Sequence, residues 1–524
     1  MPTVAVLADR RHFWFFATGS LAVTVGVLLH LPMFWMGHGN GFRLVGMPME
    51  ADMWWGMALI CVGIGVAAYG LVPRRPTSAP PALTVSAPED VPLARAHYRL
   101  MLVLTVALMI DVMKPASLGF VVPGMRLEYG VSKAMVAWLP FAALTGTVVG
   151  SVAWGWLADL FGRRATILLS AVMFVGTSIC GAMPSFWWNV GMCFMMGAAA
   201  GGMLPVTYAL LAECMPSRQR GWVLVLVGGL GAVGGYLLAS GFSAWLEPIL
   251  SWRILWLLNL PTGLVLIFLN PLIPESPKFL LSLGRTDDAH ATLRSFGCTV
   301  LPHAPADDPT GDDSGMTGRT ALRLAGTTWA LSITALAWGL INFGLLLWMP
   351  AHLVAKGYSM ALSSELLAAS ALIALPTVFV AAFLYGRWSS KGALLTAIAI
   401  TALGLLGVIQ LETAAGTDTS PVWSIALLIV GINGIIAMLL PYAAESYPMK
   451  IRGRATGWVA ACTKAGGLIA QLLGLLGLVP ALLIAAWLIL VPVVLALALV
   501  AWYCAETRGR DLRSLDAAAL NPGP

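Results

Sequence analysis

Apolar runs of 18 or more residues recur along most of this chain; "ALLIAAWLILVPVVLALALVAWY", residues 481–503, is one. A run of that length crosses the hydrocarbon core of a bilayer. No water is present there to satisfy backbone N–H and C=O groups, so each run must be a helix. The strands of a membrane barrel would be shorter and would alternate apolar with polar residues. Composition agrees. The chain is 59% hydrophobic and only 10% charged, where a soluble protein carries about 25%. The fold class predicted is an all-α polytopic membrane protein in contact with a lipid bilayer. Thirty Lys plus Arg against 24 Asp plus Glu give a net charge of +6. Because the basic residues sit in short loops between apolar runs, they read as topology signals, and no nucleic-acid partner is expected. Seven scattered cysteines without a CxxC pair give no sign of a disulfide framework or zinc site.

The pattern predicts fourteen helices. Two form an N-terminal hairpin, near 13–36 and 53–73 within residues 1–75. A Pro/Ala/Ser-rich linker covers 76–97. Six helices fill residues 98–273, near 99–123, 134–157, 165–183, 187–211, 222–243 and 252–273. A polar loop, 274–325, includes "DDPTGDDSG", whose spacing does not fit a calcium loop and reads as a flexible acidic tether. Six further helices fill 326–505, near 326–352, 361–386, 392–411, 422–442, 455–477 and 479–503, and a tail covers 506–524. With both termini cytoplasmic, 23 Lys plus Arg fall on the cytosolic side. Five fall outside (Arg43, Arg126, Lys133, Arg253, Lys356) and two inside helices (Lys114, Lys464). That asymmetry fits the positive-inside rule. His30 and His38 flank the hairpin turn at a spacing that suggests no metal site. No cofactor is expected.

Two loops repeat. "AECMPSRQRG" contains Glu213, Pro216, Arg220 and Gly221; "AESYPMKIRG" contains Glu445, Pro448, Arg452 and Gly453, each 232 residues later. The shared pattern E-x-x-P-x-x-x-R-G follows the fourth helix of each six-helix set. Internal repeats of this kind mark secondary transporters, with the solute site between the halves. A second loop, "GWLADLFGRR", holds Gly155, Asp159, Gly162, Arg163 and Arg164. Its counterpart, "GRWSSKG", is degenerate and lacks the acid.

"GWLADLFGRR" resembles the signature loop of the major facilitator superfamily, and "PESPKFLL" (274–281) resembles a motif of its sugar-porter branch and of organic-ion and synaptic-vesicle relatives. The resemblance covers about residues 98 to 505 and leaves the hairpin outside. It implies two six-helix bundles working by alternating access. It also implies a cytoplasmic gate built from Asp159, Arg163, Glu213, Arg220, Glu445 and Arg452, around the turn residues Gly155, Gly162 and Arg164.

Two charges interrupt the first core helix, in "MIDVMKPASLGF" (109–120). Asp111 lies about 18 Å beyond Arg99 along a helix, near the bilayer centre. Asp111 and Lys114 are i and i+3, so they share a face and can pair. Pro115 allows a bend there. An intramembrane charge costs on the order of 2.5–3.5 kcal/mol and marks a functional position. Lys464, about 15 Å inside the eleventh core helix, faces either Asp111, a solute anion or, by snorkelling, the cytosol. Trp338, Asn342, Tyr208 and Asn433 are further solute-site candidates that serve equally as helix-packing groups. The stretch "DVMKPASLGFVVP" resembles the first core helix of the branch that imports aromatic acids with protons. Asp111, Gly119, Phe120 and Pro123 match that pattern, and Lys114 replaces its second acid. Cys193 stands where many proton-coupled relatives have an Arg in helix four, and "GGLGAVGGY" lacks the Pro of the drug-antiporter element.

The function expected is secondary transport of a small organic solute, an organic acid with protons as the coupling ion, across a bacterial inner membrane. Drug or metabolite export by antiport, sugar transport and a non-transporting sensor of the same fold stand as alternatives. No Walker A sequence, nucleophile–base pair or metal motif argues for ATP drive or an enzyme.

Overall fold

The computed structural model describes residues 10–72, 92–297, 318–413, 422–447, 449–478 and 481–508. Most of the linker, the acidic "DDPTGDDSG" stretch, Pro448 of the repeat loop and the tail beyond 508 lie outside those residues, as do the side chains of Asp159 and Arg452. No strand occurs among the described residues. The membrane helices are α1 (Arg11–Asn40), α2 (Ala51–Gly70), α3 (Arg95–Tyr129), α4 (Lys133–Ala158), α5 (Arg163–Ala182), α6 (Phe186–Cys214), α7 (Gln219–Leu250), α8 (Ile254–Phe268), α9 (Leu324–Ala355), α10 (Met360–Trp388), α11 (Ser390–Thr413), α12 (Val422–Ser446), α13 (Ala455–Leu475) and α14 (Leu482–Tyr503).

Thirteen of these are long and apolar enough to span a bilayer; α8 is the short one. The sequence predicts a full span over 252–273. The chain instead forms two pieces, Ile254–Leu257 and Asn259–Phe268, followed by a turn at Asn270–Leu272. Pro261 explains the break, because it has no N–H to offer the Leu257 carbonyl four residues back.

The described residues group into two compact units. The first lies within Met1–Ser217 and Leu238–Ala306, the second within Arg218–Leu237 and Asp307–Pro524. In the first, α4 and α6 cross so closely that an added Cβ at Gly197 would overlap the Ala143 carbonyl oxygen. Such contacts between small residues let helix backbones pack tightly in lipid. The N-terminal hairpin belongs to this unit. Val23, Val27 and Ile60 pack in one apolar cluster with Leu168, Val172, Val175 and Ile179 of α5, so α5 is almost wholly buried. The hairpin loop is also tied down: the Leu44 N–H donates to Glu128 Oε1 at 2.8 Å.

Glu128 ends α3 and pairs with Arg253 at 2.6 Å. The sequence reading places Arg253 among the loop charges of the outer side; its side chain is 0% exposed. It donates to the Gly181 and Met183 carbonyls and to the Tyr129 hydroxyl, and its guanidinium lies 4.5 Å from the Trp252 ring centroid. A fully buried guanidinium is tolerated when its donors are used in this way. Arg253 is therefore a structural tie among α3, the α5–α6 turn and the chain leading into α8.

At the other end of each unit an acid after the last helix caps the N-terminus of the unit's third core helix. Glu275 accepts the N–H groups of Arg163 and Arg164 at 2.8 and 3.3 Å. Gly162, at φ +97°, leaves room for it: a Cβ there would stand 2.5 Å from the Glu275 carboxylate. Segment 274–295, expected as the start of a polar loop, is folded into helices Pro277–Ser282 and Thr286–Ser295. In the second unit Glu506 accepts the Ser390 N–H at 2.9 Å and hydroxyls from Ser389 and Ser390. Free donors at a helix N-terminus favour such a carboxylate.

Two tests follow. Gly197→Leu, which forces the α4–α6 crossing apart, lowers the melting temperature of the detergent-solubilised protein, overpacking costing about 1–3 kcal/mol. Gly155→Ala, at an exposed helical position with open space for a Cβ, does not lower it, Ala being the better helix former by about 0.5–1 kcal/mol. Burial alone would raise the Glu506 carboxyl, but its Ser389, Ser390 and Arg508 hydrogen bonds bring it down to about 2. A depressed carboxyl stabilises the fold above its unfolded value, about 4.3 for Glu, and that stability is lost as pH falls toward 2. The melting difference between the wild type and Glu506→Gln is accordingly full at pH 7 and shrinks progressively below about pH 4.

Candidate functional site

The charges that interrupt the apolar helices fall into four groups, two in each unit. The first lies on α3. Asp111 and Lys114 are both buried, at 7% and 1% exposure, one helical turn apart. Pro115 follows directly, and α3 continues through it and through Pro123 as one helix. A Pro at 115 cannot donate to the Asp111 carbonyl, which loosens the turn carrying the pair. The Lys114 ammonium sits 3.1 Å from the centroid of the Phe174 ring on α5. The Asp111 charge acts on it. Among the described residues no hydrogen-bond acceptor reaches its Nζ. The attraction of a desolvated ammonium for an aromatic face, about 2 kcal/mol, helps hold it there. Tyr208 is half-buried on α6 in the same unit.

The second group centres on α9, where residues Ile341–Leu345 form a π-helical turn. Asn342 and Phe343 stand in this turn, both half-buried. Phe343 gathers the other predicted residues around it. Trp338 meets its ring edge-on, 5.6 Å between centroids, and the Trp338 indole N–H donates to the Ile432 carbonyl at 2.9 Å. The Lys464 ammonium, from α13, lies 5.7 Å from the Phe343 ring centroid. Asn433 is half-buried on α12, next to Ile432. Lys464 is thus drawn to an aromatic face inside the second unit.

The two remaining groups lie at the loop ends. In the first unit Arg163 pairs with Glu213 at 3.4 Å and also donates to the Ala158 carbonyl. Ser276 Oγ donates to Glu213. Arg164 is buried, its Nε on Asn270 Oδ1 at 2.7 Å. Burial pushes the Glu275 carboxyl up against the pull of the Ser276, Arg164 and Arg163 N–H donors. In the second unit Glu445 takes hydrogen bonds from the Tyr385 and Thr507 hydroxyls at 2.7 and 2.8 Å, and the Arg220 charge acts on it. Gly221 lets Glu445 and Tyr385 approach. The two groups follow one plan: an acid–hydroxyl pair, Glu275–Ser276 or Glu506–Thr507, caps a helix with its acid and holds the repeat-loop glutamate with its hydroxyl.

The structure therefore brings together Asp111 with Lys114, Trp338 with Lys464 around Phe343, Arg163 with Glu213, and Arg220 with Glu445. Sequence reasoning missed Phe174, Phe343 and Gln471, whose side-chain amide donates to the Phe343 carbonyl. It also missed the roles of Glu506 and Thr507. For the last two a signal existed: "ETRG" follows the last helix as "ESPK" follows the sixth.

Comparison with known proteins agrees with this architecture. The family model of the Major Facilitator Superfamily matches residues 100–470. The niacin transporter NiaP of Acinetobacter baylyi is 27% identical over 396 residues, covering 74% of this chain and 89% of that protein. The 4-hydroxybenzoate transporter PcaK of Pseudomonas putida is 28% identical over 410 residues, 73% of this chain and 88% of that one. Among solved structures, the xylose transporter XylE from E. coli in a partially occluded inward open conformation aligns with TM-score 0.62 at 15% identity. It covers 80% of this chain and 100% of that one. The family match runs from α3 into α13, and the chain is a membrane transporter, not an enzyme: it belongs to the Major Facilitator Superfamily.

Proposed function

We propose that this protein is a secondary active transporter for a small organic acid, an aromatic carboxylate, taken up with protons by alternating access across a bacterial inner membrane, both termini cytoplasmic. The observation that carries the reading is the seat of Lys114: a desolvated ammonium inside the first core helix, one turn from a carboxyl group and lodged on an aromatic ring. A buried cation and an acid one helical turn away cannot both stay charged without cost once the surroundings change. A solute carboxylate can take the place of Asp111 beside a lysine, and Asp111 can then carry a proton. Lys464 beside Phe343 and Trp338 offers a second cation with aromatic walls, and Asn342, Tyr208 and Asn433 supply polar groups to orient a ring substituent. Two relatives are named for niacin and 4-hydroxybenzoate, both aromatic rings bearing one carboxylate. That likeness supports the same solute class here.

In this reading residues 98–273 and 326–505 are the two moving bundles, and the hairpin of residues 1–75 travels with the first. The Arg163–Glu213 and Arg220–Glu445 groups, with Asp159 and Arg452, act as the cytoplasmic gate. Partly desolvated charge pairs suit that role, because they hold firmly yet exchange partners when a domain rocks.

Proteoliposomes loaded with purified protein and given an inward proton gradient accumulate labelled 4-hydroxybenzoate or niacin. No accumulation of either acid, with the protein shown to be folded, overturns the organic-acid reading. Asp111→Asn abolishes gradient-driven accumulation, because an amide cannot take up the proton, and retains solute exchange without a gradient. Unaltered accumulation by Asp111→Asn removes that residue from coupling. Glu213→Gln and Glu445→Gln slow uptake several-fold while leaving solute affinity in detergent unchanged, since a gate sets the rate of interconversion and not the contacts with the solute; a changed affinity would contradict the gate assignment.

A further inference from the structure

The amide of Gln471, on α13, is buried, at 0% exposure. Its Nε2 donates to the backbone carbonyl of Phe343, while its Oε1 has no hydrogen-bond partner among the described residues. Phe343 lies inside the π-helical turn Ile341–Leu345. A π turn takes one extra residue into the helix and leaves the ladder short of a bond there. A buried side-chain amide that caps a carbonyl in that turn holds the extra residue in one place. Deleting the donor would leave the turn without this side-chain tie.

Phe343 is the residue so held. Its ring has the Trp338 indole edge-on and the Lys464 ammonium 5.7 Å from its centroid. Lys464 and Gln471 are i and i+7 on α13, hence on one face of that helix. Phe343, Asn342 and Lys464 are each half-buried, whereas Gln471 is fully enclosed.

We propose that Phe343 is a specificity-determining residue that receives the ring of an aromatic carboxylate, and that Gln471 is the positioning residue that sets the Phe343 ring at the required place by pinning the π turn. This rests on the organic-acid reading above.

The test is uptake kinetics in proteoliposomes with labelled 4-hydroxybenzoate, and cyclohexanecarboxylate, an aliphatic acid of similar size, as competitor. Transport rates are normalised to folded protein. Gln471→Met keeps the volume and removes the donor. It raises KM for the aromatic acid about tenfold, the effect of one lost interaction of about 1.4 kcal/mol, with the maximal rate within about twofold. Phe343→Leu gives a similar rise and reduces the preference for the aromatic acid over the aliphatic one, whereas Phe343→Tyr retains both. Because Gln471 acts through Phe343, the double variant is no worse than Phe343→Leu alone. If Gln471→Met fails to fold, the Phe343→Leu and Phe343→Tyr pair decides. An unchanged KM and preference in Phe343→Leu, or additive effects in the double variant, overturns the proposal. Wild-type vesicles that transport neither acid overturn the organic-acid reading along with it; wild-type transport with unaffected variants overturns this proposal alone.

Discussion

A charge inside a bilayer has to be received by something, and in this protein both membrane lysines lie at an aromatic ring. Lys114 rests on Phe174 and Lys464 lies near Phe343. Neither lysine could persist on a lipid-facing surface, where each would cost on the order of 2.5–3.5 kcal/mol. The packing around them serves this requirement. Phe174 stands on α5, and α5 is fixed on its other side by the N-terminal hairpin through Val172, Val175 and Ile179. The same hairpin is tied through Leu44 to Glu128 and thence to the buried Arg253. The accessory pair of helices, outside the twelve of the superfamily, is thus an integral brace of the unit that carries Asp111 and Lys114.

The loop-end groups obey a second constraint, the unsatisfied donors of a helix N-terminus. Each unit answers it with an acid from beyond its last helix, and each adds a hydroxyl that holds the repeat-loop glutamate. The positions of Glu213 and Glu445 therefore depend on the helix caps behind them. An acid that caps a helix with its carboxylate links the start of one helix to the end of another, so motion of either reaches the repeat-loop glutamate directly.

Much of this was legible in the sequence. Long apolar runs dictated helices, and the doubled E-x-x-P-x-x-x-R-G loop was conspicuous because it is a linear pattern at one offset. Asp111, Lys114 and Lys464 were conspicuous because a charge in an apolar run is costly wherever it points. What receives each charge was not legible. Phe174 and Phe343 are ordinary apolar residues in apolar runs, and only the packing of α5 on α3 and the π turn of α9 single them out. Arg253 looked like a topology charge, because burial of a guanidinium is decided by carbonyls distant in sequence. The break in α8 was legible in principle from Pro261, and the fold of 274–295 from the acid after the sixth helix.

The central claim is that a solute carboxylate and a proton move together through these lysine and aspartate seats. Vesicles containing the purified protein and a trapped pH-sensitive dye, with no imposed gradient, test it most directly. Adding 4-hydroxybenzoate should acidify the lumen at a rate well above that of protein-free vesicles, and Asp111→Asn should bring the rate down to that of protein-free vesicles. Solute entry with no accompanying acidification, or acidification that survives Asp111→Asn unchanged, would contradict the account.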